Sequence, residues 1–252
     1  MAKDKKQAGM PVIICHGDKG GVGKSVMCSV ICDWLGKSNI NFALVDGDTR
    51  NPDVARMFKS TAPVAELNLR THDGWMDLTD FMSEHTERVI VISMPAGIGE
   101  ELSKEGATFV NTIKLLDRPM NLFWIINRLP DSVNLLSEAE KTLGGNLASR
   151  FVVKNLFFGP AEKFTRWDGS STRTKFEEAG GVTLKLPELH ERTVDKLYSD
   201  NDAIMPFSSA ILPVGQHRDS VHGFTASENM ELVHWVNNNH TTMESIRHKL
   251  GL

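Results

Sequence analysis

The sequence predicts an α/β fold, a mostly parallel central sheet with helices on both faces, and three observations carry that prediction. Strand and helix signals alternate along the 252 residues, as a sheet joined by helical crossovers requires. Val89-Ile90-Val91-Ile92 is an uninterrupted β-branched run, the pattern of a central strand buried on both faces. A glycine-rich stretch at residues 17–25 links the first apolar run to the first helical segment, and a strand, a glycine loop and a helix N-terminus in that order form a cradle for phosphate.

The elements follow in order. Pro11-Val12-Ile13-Ile14-Cys15 reads as the first strand and Ser25 to Leu35 as the first helix. Asn41-Phe42-Ala43-Leu44-Val45 is a second strand ending at Asp46, and Arg88 to Ser93 holds the central one. Leu122-Phe123-Trp124-Ile125-Ile126 comes next, followed by a helix from Asp131 to Leu143. Phe151-Val152-Val153 leads into Asn155, and Val182-Thr183-Leu184-Lys185-Leu186 stops at Pro187. From Ala226 the chain reads as helical through Trp235, and again from Thr242 to Leu250. The polar stretch Trp167 to Thr174 is expected to be a mobile surface loop. No linker divides the chain, so residues 1–252 are expected to form one domain, with 1–10 as a flexible N-terminal stretch.

Composition narrows the function. With 40 % hydrophobic and 24 % charged residues the chain is ordinary for a globular protein, and a net charge of −4 gives no global attraction to nucleic acid or anionic lipid. No run approaches membrane-spanning length, and the charged start Lys3-Asp4-Lys5-Lys6 lacks the apolar stretch of a signal peptide, so a cytoplasmic location is expected. The three cysteines, Cys15, Cys28 and Cys32, fall in the first strand and helix. Nothing nearby completes a four-ligand metal set, so they read as buried thiols. The histidines show no metal spacing, and His16 reads as a side chain packed at the strand end.

The chemistry lies in Gly17-Asp18-Lys19-Gly20-Gly21-Val22-Gly23-Lys24-Ser25. Glycines 20, 21 and 23 let successive N–H groups turn inward, so that Gly20 through Val26 wrap a polyphosphate. Lys24 is placed to reach the β- and γ-phosphates, and the Ser25 hydroxyl to ligate Mg²⁺. Asp18 stands where the standard pattern has glycine, and Lys19 adds a second lysine before the glycine pair. This form resembles the deviant Walker A motif of the ParA/MinD family of P-loop ATPases. The resemblance implies ATP/ADP and Mg²⁺ as cofactors and a homodimer that closes when ATP is bound. Lys19 would then cross the interface to the partner's phosphates, offsetting repulsion between two ATP-loaded faces.

Later segments extend the resemblance. Asp46-Gly47-Asp48-Thr49-Arg50-Asn51-Pro52-Asp53 emerges at the carboxyl edge of the sheet, where such folds bind ligands, and is similar to the family's first switch. That match makes Asp48 the residue orienting the attacking water and Asp46 a support for the metal's water shell, with Arg50 and Asn51 on the switch surface. Capping of a turn and the next helix is the alternative use of these carboxylates. Ser93-Met94-Pro95-Ala96-Gly97 is similar to the second switch, but Ser93 replaces its aspartate, so hydrolysis is less firmly implied than binding. Gly97 would sense the γ-phosphate. Asn155 and Pro187 stand at strand ends where relatives contact adenine, with Glu188 following and Asn127-Arg128 competing for the role. Met243, Ile246 and Leu250 recur at helical spacing beside a basic run. With no Phe or Trp to insert, packing on the domain is expected rather than membrane contact.

The reading is an ATP-binding, slowly hydrolysing, dimerising switch ATPase, an ATPase whose turnover Ser93 puts in question. It would act in plasmid or DNA partitioning, transfer or intracellular positioning through a ParB-like or other adaptor protein, with DNA contacted directly or through that partner. Two alternatives remain open here. One is a dethiobiotin-synthetase-like ligase that phosphorylates a carboxylate; the other is an ATP-dependent interaction module that does not hydrolyse.

Overall fold

The computed structural model describes residues 9–17, 19–199, 204–213 and 222–252; Asp18 and most of the expected N-terminal stretch lie outside the described residues. The strands are β1 Val12–His16, β2 Phe42–Asp46, β3 Val64–Glu66, β4 Val89–Ser93, β5 Met120–Ile126, β6 Leu147–Asn155 and β7 Val182–Leu186. They form one sheet in the order β3-β2-β4-β1-β5-β6-β7, and every pairing is parallel. β1 is central: Ile14 pairs with Ile92 of β4 on one side and Leu122 of β5 on the other. Its buried Val-Ile-Ile sequence follows from that position, since both faces are covered.

Alternation along the strands divides the core in two. Ile13 and Cys15 point to one side, where they meet α1 Lys24–Lys37, α2 Asp53–Phe58, α8 Glu191–Leu197, α9 Phe207–Ala210 and α10 Ala226–Leu250. Val12 and Ile14 point to the other, against α3 His72–Glu84, α4 Gly99–Leu115, α5 Pro130–Leu143, α6 Thr165–Asp168 and α7 Ser171–Glu178. The expected architecture of helices on both faces of a parallel sheet is the observed one.

Four local expectations change. β3 went unforeseen, a three-residue edge strand that buries little. The polar stretch Trp167 to Thr174 is no loop: it contributes to α6 and α7. Trp167 is buried edge-on against Phe176 and donates to Thr183 Oγ1 at 3.1 Å, while the Ser170 hydroxyl caps Arg173 N–H at 3.0 Å. Gly9 and Met10 are held, with Gly9 N–H on Asp117 O at 2.8 Å and Arg118 Nε on Met10 O at 2.7 Å.

The C-terminal helix runs unbroken from Ala226 to Leu250 and opens with a Thr225/Glu228 capping box. Asn239 and His240, which interrupt its apolar pattern, are used: Asn239 Nδ2 donates to Trp235 O at 2.9 Å, and His240 Nε2 lies 3.0 Å from Asp33 Oδ2 on α1. Met243, Ile246 and Leu250 are buried in the core, so that stripe packs on the domain. Among the described residues no helix is long and apolar enough to cross a membrane.

Candidate nucleotide-binding site

The loop after β1 has the backbone its glycines permit. Gly21 and Gly23 sit at φ +71° and +100°, values a side chain resists. A Cβ on Gly17 would fall 2.5 Å from Ile125 O, and one on Gly23 would fall 2.4 Å from Asn155 Nδ2, so the loop passes too close to β5 and β6 for any other residue. Gly23 is the N-cap of α1, and no side chain caps that helix. Its first N–H groups, with the positive end of the helix dipole, therefore face the loop as an anion site. Lys24 is buried, and its Nζ donates to Lys19 O at 2.9 Å, arching the ammonium over the glycine turn. Ser25 and Val26 follow in the first turn.

Beside the loop lies an apolar cavity of about 220 Å³ whose wall includes Gly21, Val26, Phe157, Leu186, Pro187 and Trp235. Asn155 and Pro187 line this cavity together with Gly21 and Gly23 of the loop. Asn155, however, is already bonded: Nδ2 donates to Val22 O at 2.8 Å and Oδ1 accepts Phe157 N–H at 3.1 Å. Its amide ties β6 to the loop. Pro187 O accepts Trp235 Nε1 at 2.9 Å, fixing the cavity wall to α10. Glu188 lines the same cavity from an exposed position. Asn127 is directed elsewhere, since Oδ1 accepts Leu129 N–H and Ser132 Oγ, both at 2.8 Å, at the entry to α5.

The first-switch segment meets the second through the β2–β4 pairing, which places Asp46 opposite Ser93. Gly47 N–H donates to Ser93 O at 2.9 Å. Asp46 is buried, and its two oxygens accept Asp48 N–H at 3.2 Å and Ala55 N–H at 3.1 Å. Burial pushes its carboxyl up to about 7 against the pull of those two amides. Asp48 is exposed and its Oδ1 accepts Asn51 N–H at 3.4 Å; Asp53 pairs with Arg56 at 3.1 Å and accepts Asn51 Nδ2 at 2.7 Å. Arg50 is exposed. Gly97 stands at φ +62°, and the Arg70 guanidinium straps its turn by donating to Ala96 O and Gly97 O. Sequence reasoning passed over Arg70, which lies 26 residues from Ala96 and carries no motif.

Lys19 leans on its own chain: its Nζ is 2.7 Å from Asp131 Oδ2 in the first turn of α5, both side chains about half exposed. His16 is buried with its ring edge-on to Trp124 at a centroid distance of 4.7 Å, as a packed strand-end residue would be, but its Nδ1 has no hydrogen-bond partner. Burial, then the Lys24 ammonium, lower its pKa to about 3. The three cysteines are buried, Cys15 on β1 and Cys28 and Cys32 on α1. Burial raises the Cys15 and Cys32 thiols well above their ordinary range. Among the described residues no group of three His, Cys, Asp or Glu side chains could hold a metal ion.

No protein-family profile matches the chain. It is 32 % identical over 240 residues to Protein MobD of Acidithiobacillus ferrooxidans, covering 94 % of this chain and 98 % of that protein. Among solved structures it resembles chloroplast FtsY from Physcomitrella patens, with a TM-score of 0.50 and 12 % identity over 88 % of this chain and 65 % of that one. It also resembles the MinD cell division protein of Aquifex aeolicus, with a TM-score of 0.47 and 13 % identity over 90 % and 97 % of the two chains.

Proposed function

The chain belongs to the family of Protein MobD, and from its parallel α/β sheet with a glycine loop after β1 we propose that it is a ParA/MinD-like P-loop protein, an ATP-binding, slowly hydrolysing switch ATPase that dimerises around its nucleotide. The observation that carries this reading is the glycine loop. Its left-handed Gly21 and Gly23, the uncapped start of α1 and the Lys24 ammonium all converge at the carboxyl edge of the sheet, beside an apolar cavity of base size. Amides of Gly20 through Val26 hold the phosphates, and Lys24 offsets their charge. The base enters the cavity against Val26, Phe157 and Pro187.

Ser25 and Asp46 offer hydroxyl and carboxylate oxygens, the hard donors that suit Mg²⁺ once phosphate and water complete its shell. A carboxyl held near 7 by burial is one that a nearby cation would ionise. The ion would supply Lewis-acid stabilisation of the transferring phosphoryl group. Asp48 orients the attacking water, and Gly97 reports the γ-phosphate through the turn that Arg70 straps. Lys19 leaves Asp131 to reach the partner's phosphates. Turnover is slow because Ser93, where the second switch has aspartate, brings no charge. The same observation favours a second reading, a module that dimerises on ATP without hydrolysing it. In either case nucleotide state times attachment to a ParB-like or other adaptor protein, with DNA as cargo in partitioning or transfer.

Size-exclusion chromatography with light scattering tests the proposal. The wild type dimerises with a slowly hydrolysed ATP analogue and not with ADP; Lys19→Ala weakens the dimer, and Lys24→Ala loses nucleotide. A monomer under every condition removes the dimer mechanism.

A further inference from the structure

We propose that Arg70 is a positioning residue that gives the site its preference for a nucleoside triphosphate over the diphosphate, by aiming the Gly97 amide. The inference rests on the function proposed above, in which Gly97 reports the γ-phosphate.

Arg70 stands in the loop between β3 and α3, and that loop is a firm base. Leu67 N–H donates to Asp46 O at 3.0 Å, which fastens it to the end of β2. Leu69 is wholly buried, and its carbonyl accepts Trp75 Nε1 at 2.8 Å. The Thr71 hydroxyl caps α3 by accepting Gly74 N–H at 3.2 Å. A Cβ on Gly47 would lie 3.1 Å from Leu69 Cδ1 and 2.7 Å from the Pro95 ring, so the exits of β2, β3 and β4 pack against one another. From this base the guanidinium spans to the turn after β4, where Nη2 donates to Ala96 O and Nη1 to Gly97 O at 3.3 Å. A planar fork of donors suits two carbonyls at once.

The bond to Ala96 O does more than hold the turn. Ala96 C=O and Gly97 N–H belong to one planar trans peptide, so they point in opposite directions and fixing one fixes the other. Arg70 follows β3 and the phosphate loop follows β1, on opposite sides of β4 in the sheet. Drawn by its oxygen toward the β3 side, the peptide turns its N–H toward the loop. Gly97 stands at φ +62°, and among the described residues nothing beyond its chain neighbours lies within 4 Å of where a Cβ would be. Glycine and open space leave the peptide room to rotate, and the guanidinium selects one orientation. A diphosphate has no group at this position and binds without that selection. A triphosphate gains from an N–H that is already aimed.

Calorimetry on the full chain in magnesium buffer compares ADP with a slowly hydrolysed ATP analogue. Wild type favours the analogue. Arg70→Ala leaves the ADP affinity nearly unchanged and narrows the preference roughly 5- to 30-fold, about 1–2 kcal/mol. The guanidinium is exposed, which keeps the effect modest. In a Gly97→Ala background, where a side chain already disfavours the positive φ, removing Arg70 narrows the preference no further, since both changes act on one peptide. Further loss there would mean that Arg70 touches the phosphate itself, and overturns the assignment. So does a wild type that binds both nucleotides equally, or an Arg70→Ala protein with its preference intact. NMR relaxation without nucleotide gives a second readout: the order parameter of the Gly97 N–H is about 0.85 in wild type and falls below about 0.6 in Arg70→Ala, with β4 unchanged. Equal order in the two proteins overturns the aiming role. Arg70-dependent order at Gly97 in a protein that takes neither nucleotide refutes the proposed function, and the preference with it, while leaving the strap in place.

Discussion

Replacing Asn155 by Ala separates two uses of one side chain. An Asn that reads the adenine edge and an Asn that braces the phosphate loop predict different nucleotide profiles. Asn155 is buried, donates to Val22 O at 2.8 Å and accepts Phe157 N–H at 3.1 Å. Deleting it removes two neutral hydrogen bonds of about 1 kcal/mol each and strands a buried Val22 carbonyl at about 1–3 kcal/mol. With partial relaxation the total is roughly 2–4 kcal/mol, within the ~5–15 kcal/mol that a domain of this kind holds in reserve. If about 1–2 kcal/mol of that is needed to order the loop on binding, Kd rises roughly 5- to 30-fold. The loop grips phosphates and not the base, so ATP, GTP and inorganic tripolyphosphate weaken by a similar factor. Calorimetry on all three, with a denaturant melt for stability, measures both effects. A loss confined to ATP, with GTP and tripolyphosphate unchanged, refutes the bracing argument and makes Asn155 a base reader.

The remaining predictions concern the same neighbourhood. Asp131→Ala removes the partner that Lys19 holds at 2.7 Å; the pair is about half exposed, so stability changes by less than ~1 kcal/mol while the ATP-dependent dimer forms at lower protein concentration. Dimerisation indifferent to this change, by sedimentation, would show that Asp131 does not compete for Lys19. Gly23→Ala puts a Cβ 2.4 Å from Asn155 Nδ2 at φ +100°, so nucleotide binding is lost while the circular dichroism of the fold persists; tight binding by this variant would mean the loop adopts another path. His16 stays unprotonated in the fold down to about 3, whereas the unfolded chain takes up a proton below the ordinary 6.5, so this residue makes stability fall as pH drops through that window. Asp46 acts oppositely, keeping in the fold up to about 7 a proton that the unfolded chain releases above 3.8. Between pH 6 and 4.5 in magnesium-free buffer, His16→Phe should therefore gain on wild type by about 1.4 kcal/mol per unit of acidification. A difference between the two proteins that stays constant with pH would place the His16 pKa near its unfolded value.

The apolar runs of β1, β2, β4 and β5 were legible because strands covered on both faces have no polar face to dilute them. β3 was not, since three edge residues carry too little pattern. Trp167 to Thr174 misled by composition: a polar segment folds into short helices when one large side chain is buried, and burial is a property of the partner, Phe176, as much as of the segment. The break read between Trp235 and Thr242 had the same origin, because Asn239 and His240 find their partners on Trp235 and on Asp33, more than 200 residues away in the second case. In the site, the loop residues Gly20 through Ser25 were legible because glycine and lysine at fixed offsets serve backbone geometry directly. Asp131 and Arg70 were not, since their significance lies in whom they touch. Asn155 was read as a base contact, and sequence could not show that its amide reaches Val22.

Trp235 and Trp124 have a practical consequence together. Each indole borders a different cavity, one beside the phosphate loop and the other between α4 and α5. The remaining three tryptophans line neither. Proteins retaining one chromophore apiece thus provide two independent optical channels, and the emission of each follows its own compartment without a dye.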